Sequence, residues 1–307
     1  MSENDELELQ LTSSRLYKLE RLPAPKKFDL HALQEMHRYI FQDLPLYGVN
    51  SPPPGVFRSY LKTGDWHKNR KLASLKDAYS MVCYSPMSIT DTAELVNALE
   101  AAQPAKLKKL PSKEFSTAIS KLYAQLDYIH PFLEGNSRTL RAFTRILARE
   151  SGYDLDWGRF NLNPRSRDFL YIARDRAVGE LAINRIRERN NAAFVALGMD
   201  TFAKNPGLPE LIAAITRPLR ALAFEKYPPL AAIKEFPELK GAFQALAATE
   251  KYAKEKHPGN EQAIGEAMAQ ARRLIQGKLD AGEVPALDRP GRARRKRAGR
   301  EDKETER

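Results

Sequence analysis

The sequence predicts a mainly α-helical fold with one short β-hairpin, a further helical region and a disordered basic tail. Three observations carry this prediction. Apolar residues recur at three- and four-residue spacing over several long segments, which is typical of amphipathic helices. The segment YSMVCYSP at 79–86 is rich in β-prone residues and ends at a proline, which favours a hairpin strand. Residues 286–307 contain too few apolar side chains to form a core.

The first elements are an arm and a helix. Residues 1–14 are largely polar and acidic, and we expect a flexible arm there. The first helix of the core is indicated by apolar residues at helical spacing, namely Leu30, Leu33, Met36 and Ile40. The loop DLPLYGVNSPPPG at 43–55 ends this helix because proline cannot continue it. Residues 56–86 have poor periodicity apart from the hairpin segment.

Three helices are predicted next. The first runs from about Thr90 to Ala102 with Asp91 as its N-cap. The second is the best defined, because its apolar residues follow steps of four and three: Phe115, Ile119, Leu122, Leu126 and Ile129. It ends at His130, since the following proline removes a backbone donor. The third begins at Ser137, so a short loop joins the last two helices.

The sequence from about residue 165 onward predicts more helices and a tail. One helix covers about 165–190, and the Ala-rich region 200–285 holds two or three more, interrupted by prolines. We interpret 200–285 as either a second helical layer or a docking module. The formal net charge is +11, but residues 289–300 hold seven basic and no acidic residues. That tail could bind nucleic acid, recruit the protein to a DNA-bound target, act as a secretion signal, or simply be solvated.

Composition restricts the class of protein. The 307 residues are 42% apolar, which is enough for one large or two small domains. The single cysteine, Cys83, excludes an intrachain disulfide and a cysteine-based zinc cluster. No segment approaches the roughly 18 consecutive apolar residues of a membrane span, and the acidic start MSENDELELQ is unlike a signal peptide. We therefore expect a cytoplasmic protein with no membrane partner, leaving export into another cell open.

The loop HPFLEGNSRTLR at 130–141 concentrates chemistry-bearing residues. Backbone N–H groups around Gly135 would lie at a helix N-terminus, where the helix dipole favours an anion. Arg138 and Arg141 are three residues apart and can reach one polyphosphate. Glu134 is the type of hard oxygen ligand that holds Mg²⁺ beside phosphates, and His130 is the side chain suited to base work near neutral pH. The sequence therefore predicts a phosphoryl- or nucleotidyl-transfer site.

This loop resembles the signature of the Fic (filamentation induced by cAMP) family, His-x-Phe-x-Asp/Glu-Gly-Asn-Gly-Arg-x-x-Arg. The matching residues are His130, Phe132, Glu134, Gly135, Asn136, Arg138 and Arg141. One position departs, because Ser137 stands where the family usually has glycine. The segments FDLHALQEMHRYIFQDL (28–44) and FRSYLKTG (57–64) resemble the opening of the same core. The resemblance implies a Fic fold over residues 15–195 and leaves 200–307 uncovered.

The resemblance also implies a reaction, the transfer of AMP from ATP to a protein hydroxyl. His130 would take the proton from a target Tyr, Ser or Thr, and Glu134 would hold Mg²⁺ between the α- and β-phosphates. Phosphate binding would fall to Gly135, Asn136, Ser137, Arg138 and Arg141, with the two arginines on the β- and γ-phosphates. Arg141 favours AMP transfer, since the death-on-curing kinases of this family lack that arginine. Family members that use another nucleotide donor stay open as alternatives.

In the family a β-hairpin flap docks the target, and the matching residues here are Met81, Val82, Cys83 and Tyr84. An ordinary edge hairpin is the alternative for this segment. Fic enzymes are commonly restrained by a helix carrying Ser/Thr-x-x-x-Glu-Gly/Asn. The two Ser/Thr-x-x-x-Glu matches here, starting at Ser2 and Thr90, are each followed by leucine. We therefore expect inhibition by a separate small antitoxin, as in toxin-type Fic proteins.

The targets known for toxin-type members include type II topoisomerases, and by analogy DNA gyrase or topoisomerase IV subunits are the expected targets here. A different class stays open. The chain could be a non-enzymatic plasmid protein that binds DNA or a partner through a degenerate Fic core. The intact His130, Glu134 and Arg141 argue against this alternative.

Overall fold

The computed structural model describes residues 3–75 and 79–283. Within these ranges the protein is mostly helical, with two small antiparallel two-stranded sheets. The predicted mainly α fold with a short hairpin is therefore confirmed. None of the described helices combines the length and the apolar character needed to cross a membrane. The predicted basic tail, 286–307, lies outside the described residues.

The described residues form thirteen α-helices and four short β-strands. The helices are α1 (Glu3–Leu19), α2 (Leu30–Phe41), α3 (Ile89–Ala101), α4 (Pro104–Leu107), α5 (Ser112–Ile129), α6 (Asn136–Glu150), α7 (Pro164–Ala182), α8 (Arg189–Thr201), α9 (Leu208–Ile215), α10 (Leu219–Lys226), α11 (Pro229–Glu235), α12 (Lys240–Lys256) and α13 (Glu261–Asp280). The strands are β1 (Trp66–Lys71), β2 (Tyr79–Tyr84), β3 (Tyr153–Leu155) and β4 (Thr216–Pro218).

The chain divides into two compact units. The first runs from the amino-terminus to Ala223 and includes Asp280–Gly282, whereas the second contains Phe224–Leu279. The limits predicted from the sequence, 15–195 and 200–285, stay a prediction. In the structure residues 200–223 belong to the first unit, because β4 pairs with β3 in an antiparallel sheet.

Helix α5 lies at the centre of the first unit. Its predicted apolar stripe is buried along its whole length, and it packs against α3, α6, α7 and α9. Helix α6 buries a second stripe that includes Leu140, Phe143 and Leu147. The loop between α5 and α6 is therefore held by two well-packed helices, which gives the residues it carries a fixed backbone.

In its described part, residues 3–14, the predicted arm is wrong, since α1 is a helix from Glu3 onward. Acidic residues fill its first turn, where they complement the helix dipole. Leu7, Leu11 and Leu16 pack half-buried against the core. These leucines fall at four- and five-residue steps and form a narrow apolar face. Because the surrounding residues are largely polar and acidic, the sequence gives only a weak signal for a helix here.

Two predicted helix starts shift by a few residues. Helix α3 begins at Ile89, and its N-cap is Ser88 instead of Asp91. The Ser88 hydroxyl accepts from the Asp91 N–H at 3.1 Å, and the Asp91 carboxylate accepts from the Ser88 N–H at 3.2 Å. Asp91 is thus the second member of a capping box. Helix α6 begins at Asn136, one residue earlier than predicted, after Gly135 in a left-handed conformation.

The hairpin pairs β1 with β2, from Trp66 opposite Tyr84 to Lys71 opposite Tyr79. Strand β2 is the inner strand and packs against α7, α8 and α5, whereas most side chains of β1 are exposed. The sequence predicted only β2, because the polar run WHKNRK of β1 lacks the apolar alternation of a half-buried strand.

Candidate active site

His130 lies at the carboxyl end of α5 in a left-handed backbone conformation, with φ +46°. Its N–H still donates to the Leu126 carbonyl at 3.1 Å, so it closes the helix. A buried arginine, Arg58, binds backbone carbonyls at this end of α5. Its Nε donates to the His130 carbonyl at 2.7 Å, and its Nη2 donates to the Ile129 carbonyl at 2.8 Å and to the Ser85 carbonyl. Arg58 therefore fixes the backbone that presents His130.

The His130 ring is stacked on Tyr84, with ring centroids 3.8 Å apart. Its Nδ1 is buried and has no hydrogen-bond partner among the described residues, but it lies 3.7 Å from Oδ1 of Asp127. Burial lowers the pKa of His130, and the Asp127 carboxylate opposes this shift. The ring is therefore neutral near pH 7, as a general base must be.

Phe132 anchors the loop and is fully buried. Its ring stacks on His37 of α2, with centroids 3.8 Å apart. The His37 Nδ1 accepts from the Gly55 N–H at 2.8 Å, so its Nε2 donates to the Glu134 carbonyl at 3.1 Å. Burial lowers the pKa of His37 to about 4, which preserves this neutral tautomer. Sequence reasoning gave His37 no role, because its partners are distant in the chain.

Gly135 and Asn136 shape the turn into α6. Gly135 has φ +79°, and a Cβ at this position would collide with the Phe41 ring, so glycine is required. The Asn136 side chain is buried and braces the loop. Its Oδ1 accepts from the Phe132 N–H at 3.0 Å, and its Nδ2 donates to the Phe132 carbonyl at 2.6 Å. Asn136 was predicted to bind phosphate, but its side-chain atoms are committed to Phe132.

The two motif arginines have different surroundings. Arg138 pairs with Glu8 of α1 at 2.5 Å and donates to the Thr12 hydroxyl at 3.1 Å. The Arg141 guanidinium lies 5.9 Å from the Trp157 ring centroid, and its Nε is buried without a partner among the described residues. The Glu8 contact does not follow the inhibitory sequence pattern, because in that pattern the serine or threonine precedes the glutamate. The spacing Glu8-x-x-x-Thr12 would have been the signal.

Glu134 is exposed at the head of α6. Its carboxylate is a hard oxygen ligand beside a helix N-terminus, and both features fit Mg²⁺ bound together with phosphate oxygens. Among residues 3–75 and 79–283 there is no group of three or more His, Cys, Asp or Glu side chains with metal-site geometry.

The predicted docking residues lie on the inner strand of the hairpin, and their role in docking stays a prediction. Val82, Cys83 and Tyr84 are buried and Met81 is half-buried, because β2 packs against the helices. These side chains hold the hairpin against the core, and Tyr84 also supports the His130 ring. Burial raises the pKa of the Cys83 thiol to about 12, so the thiol is protonated near neutral pH.

The chain is similar in sequence to known proteins. The sequence profile of the Fic/DOC family matches residues 27–148. The probable protein adenylyltransferase y4lH of Sinorhizobium fredii is 30% identical over 156 residues, which is 50% of this chain and 69% of that protein. The chain belongs to the Fic/DOC family. The resemblance found in the sequence is thereby confirmed.

A second curated relative is the protein adenylyltransferase VbhT of Bartonella schoenbuchensis, 31% identical over 145 residues. The match covers 47% of this Fic protein but only 26% of VbhT, so the chain spans about a quarter of that relative. A solved structure, the N-terminal Fic domain of a Bartonella quintana effector with bound ADP, is 19% identical. It has a TM-score of 0.45 and covers 71% of this chain and 87% of that one.

Proposed function

We propose that the protein is an adenylyltransferase that moves AMP from ATP to a Tyr, Ser or Thr hydroxyl of a target protein. The observation that carries the proposal is the loop from His130 to Arg141. It joins a neutral buried imidazole to a helix N-terminus with two arginines. Both curated relatives described above bear the name protein adenylyltransferase, one of them as probable.

In the proposed reaction His130 accepts the proton of the target hydroxyl. The hydroxyl oxygen then attacks the α-phosphorus of ATP, and the bond to the β-phosphate oxygen breaks to release pyrophosphate. The N–H groups at the head of α6, around Gly135 and Ser137, stabilise the negative charge on the α-phosphate. Glu134 would hold Mg²⁺, which supplies further charge neutralisation of the polyphosphate when bound.

Arg138 and Arg141 bind the β- and γ-phosphates in this proposal. The Arg141 guanidinium lies 5.9 Å from the Trp157 ring centroid and forms no ion pair among the described residues, so its charge is available to a phosphate. Arg138 is engaged by Glu8 at 2.5 Å, so the ion pair must open before Arg138 reaches a phosphate. The presence of Arg141 favours AMP transfer over the reversed kinase reaction of the death-on-curing proteins.

The proposal extends to partners. We expect a separate small antitoxin whose glutamate covers Arg141, and a cytoplasmic bacterial target such as a DNA gyrase or topoisomerase IV subunit. The antitoxin is proposed because the resemblance to toxin-type Fic proteins implies one, and the given sequence does not contain the pattern Ser/Thr-x-x-x-Glu-Gly/Asn. The basic segment 289–300 is a candidate for contact with nucleic acid near such a target.

The donor chemistry can be tested with two isotopes. Purified protein is incubated with bacterial lysate and Mg²⁺, with α-labelled and γ-labelled ATP in parallel. The proposal predicts a protein band labelled from α-ATP only. Label from γ-ATP only would mean a kinase and would overturn the role of Arg141. If neither ATP labels a band but labelled CTP or UTP does, the enzyme uses another nucleotide donor.

A further inference from the structure

Helix α7 carries a buried arginine, Arg174, which lies outside the sequence motif 130–141 but contacts residues beside the site. It forms a two-point ion pair with Asp127 of α5, with Nε 3.0 Å from Oδ2 and Nη2 2.8 Å from Oδ1. Both side chains are almost completely buried, at 2% and 1% exposure. A buried ion pair contributes little net stability compared with apolar packing, so its presence calls for another reason.

Asp127 connects this ion pair to the proposed base. The same Oδ1 that binds Arg174 lies 3.7 Å from Nδ1 of His130. Nδ1 has no other partner among the described residues, and the ring face is covered by Tyr84. A carboxylate beside Nδ1 favours the tautomer with its proton on Nδ1, which leaves the Nε2 lone pair free to accept a proton.

Arg174 also reaches the anion site. Its Nη1 donates to the Ser137 hydroxyl at 3.3 Å. Ser137 lies in the first turn of α6 at the position where the family usually has glycine, and glycine has no side chain to make this contact. One guanidinium therefore joins the carboxylate beside His130 to the head of the helix that would bind phosphate.

We propose that Arg174 is a positioning residue, which holds Asp127 against His130 and Ser137 at the head of α6. This inference rests on the proposed function for its meaning in catalysis. The contacts of Arg174 with Asp127 and Ser137 set the distance between the His130 ring, which accepts the proton, and the head of α6, which receives the phosphate. Displacements of about 1 Å between such groups can cost about 100-fold in rate.

The charges around His130 fix the direction of each effect. Asp127 raises the pKa of His130, whereas the cations of Arg174 and Arg58 lower it. Tyr84 covers the ring, and burial raises the pKa of its phenol, so it stays neutral. Burial acts to raise the pKa of Asp127, but Arg174 and His130 together outweigh burial and hold that pKa below its usual value. Replacing the anion and replacing the cation should therefore shift the titration of His130 in opposite directions.

The first test is nitrogen NMR of the histidine rings in the full chain, with His130 assigned by its absence in His130→Ala. We expect the wild-type ring to be neutral with the proton on Nδ1. Asp127→Asn should lower the proton affinity of His130 about tenfold, and Arg174→Gln should raise it by a similar factor. Arg176→Gln is the matched control, since Arg176 lies on α7 but donates to the Asn205 carbonyl. It should titrate like wild type.

A double variant covers the case in which Arg174→Gln alone does not fold. Asp127→Asn with Arg174→Gln leaves no buried charge unpaired, and its His130 should have a higher proton affinity than in Asp127→Asn alone. The inference is overturned if the wild-type proton resides on Nε2. It is also overturned if His130 titrates alike in the Asp127 and Arg174 variants and the wild type.

The second test uses the transfer reaction from α-labelled ATP. Arg174→Lys keeps the positive charge but cannot bridge Asp127 and Ser137 together. We expect kcat to fall about 10- to 100-fold while the KM for ATP changes less than about threefold. An unchanged kcat in this variant would overturn the inference. If the wild type transfers no label at all, the proposed function fails, and the NMR titration still decides whether Arg174 positions His130.

Discussion

Arg58 is the residue outside the motif whose loss should disturb the site most directly. The informative change is Arg58→Met, which keeps an unbranched apolar side chain but removes every donor. Three carbonyl oxygens, those of His130, Ile129 and Ser85, then lose the guanidinium in a region from which water is excluded. Burial lowers the pKa of Arg58 to about 10, so the wild-type side chain is still charged at neutral pH.

The size of the effect follows from these contacts. Each buried carbonyl left without a donor costs about 1–2 kcal/mol, so the free energy of unfolding should fall by about 3–6 kcal/mol. For a unit of this length, 1 kcal/mol corresponds to about 2–4 °C in Tm. We therefore expect Tm to fall by about 6–24 °C. Transfer activity should also fall at temperatures where the variant is folded, because the His130 backbone is no longer held.

The assay is thermal and urea unfolding followed by circular dichroism. Arg187→Met is the matched control, because Arg187 also donates to two backbone carbonyls, those of Leu61 and Gly64, but is exposed. Water can replace it there, so the control should lose less than about 1 kcal/mol. Equal losses in the two variants, or a loss below 1 kcal/mol in Arg58→Met, would refute the reasoning.

Three further predictions concern charges and the departure from the family motif. Glu8→Gln removes a partly exposed ion pair worth about 0.5–1 kcal/mol, so releasing Arg138 should tighten ATP binding about two- to fivefold in calorimetry. Ser137→Ala and Ser137→Gly both remove the hydroxyl, and we expect each to slow label transfer by a similar factor, about two- to fivefold. Asp127 has a pKa lowered in the fold, so the stability it contributes is present above its unfolded pKa of about 4 and is lost as pH falls. The urea midpoints of Asp127→Asn and wild type should therefore begin to converge as the pH falls below about 4, and should meet only below the folded-state pKa of Asp127.

Each of these predictions has an opposing result. Glu6→Gln, on the exposed part of α1, is the control for Glu8→Gln. Equal ATP affinities in the two variants would contradict the prediction that the Glu8–Arg138 ion pair weakens ATP binding. A faster enzyme with Ser137→Gly than with serine would mean that the hydroxyl hinders the reaction. Urea midpoints of Asp127→Asn and wild type that stay equally far apart at all pH values would contradict a charged Asp127 in the fold.

The sequence predicted the parts of the site that depend on local order. His130, Glu134 and the two arginines lie within twelve positions, so helix periodicity and one proline were enough to place them on a loop and a helix start. Gly135 was also predictable, since a helix N-terminus facing an anion favours glycine there.

The remaining parts depend on contacts between distant segments, which no local pattern reports. Arg58 reaches carbonyls about 70 positions away, and His37 reaches Glu134 over 97 positions. Glu8 contacts Arg138 across 130 positions, from a segment predicted to be an arm. Burial of β2 was missed for the same reason, since the partner strand and the covering helices had not been identified.

The most direct test of the central claim compares wild type with His130→Ala in two measurements on the same preparations. One is transfer of label from α-labelled ATP to protein, and the other is ATP affinity by calorimetry. If His130 is the general base, transfer should fall about 100- to 10,000-fold while the Kd for ATP stays within about threefold. Transfer that persists in His130→Ala, or an ATP affinity that falls in parallel with transfer, would contradict the account.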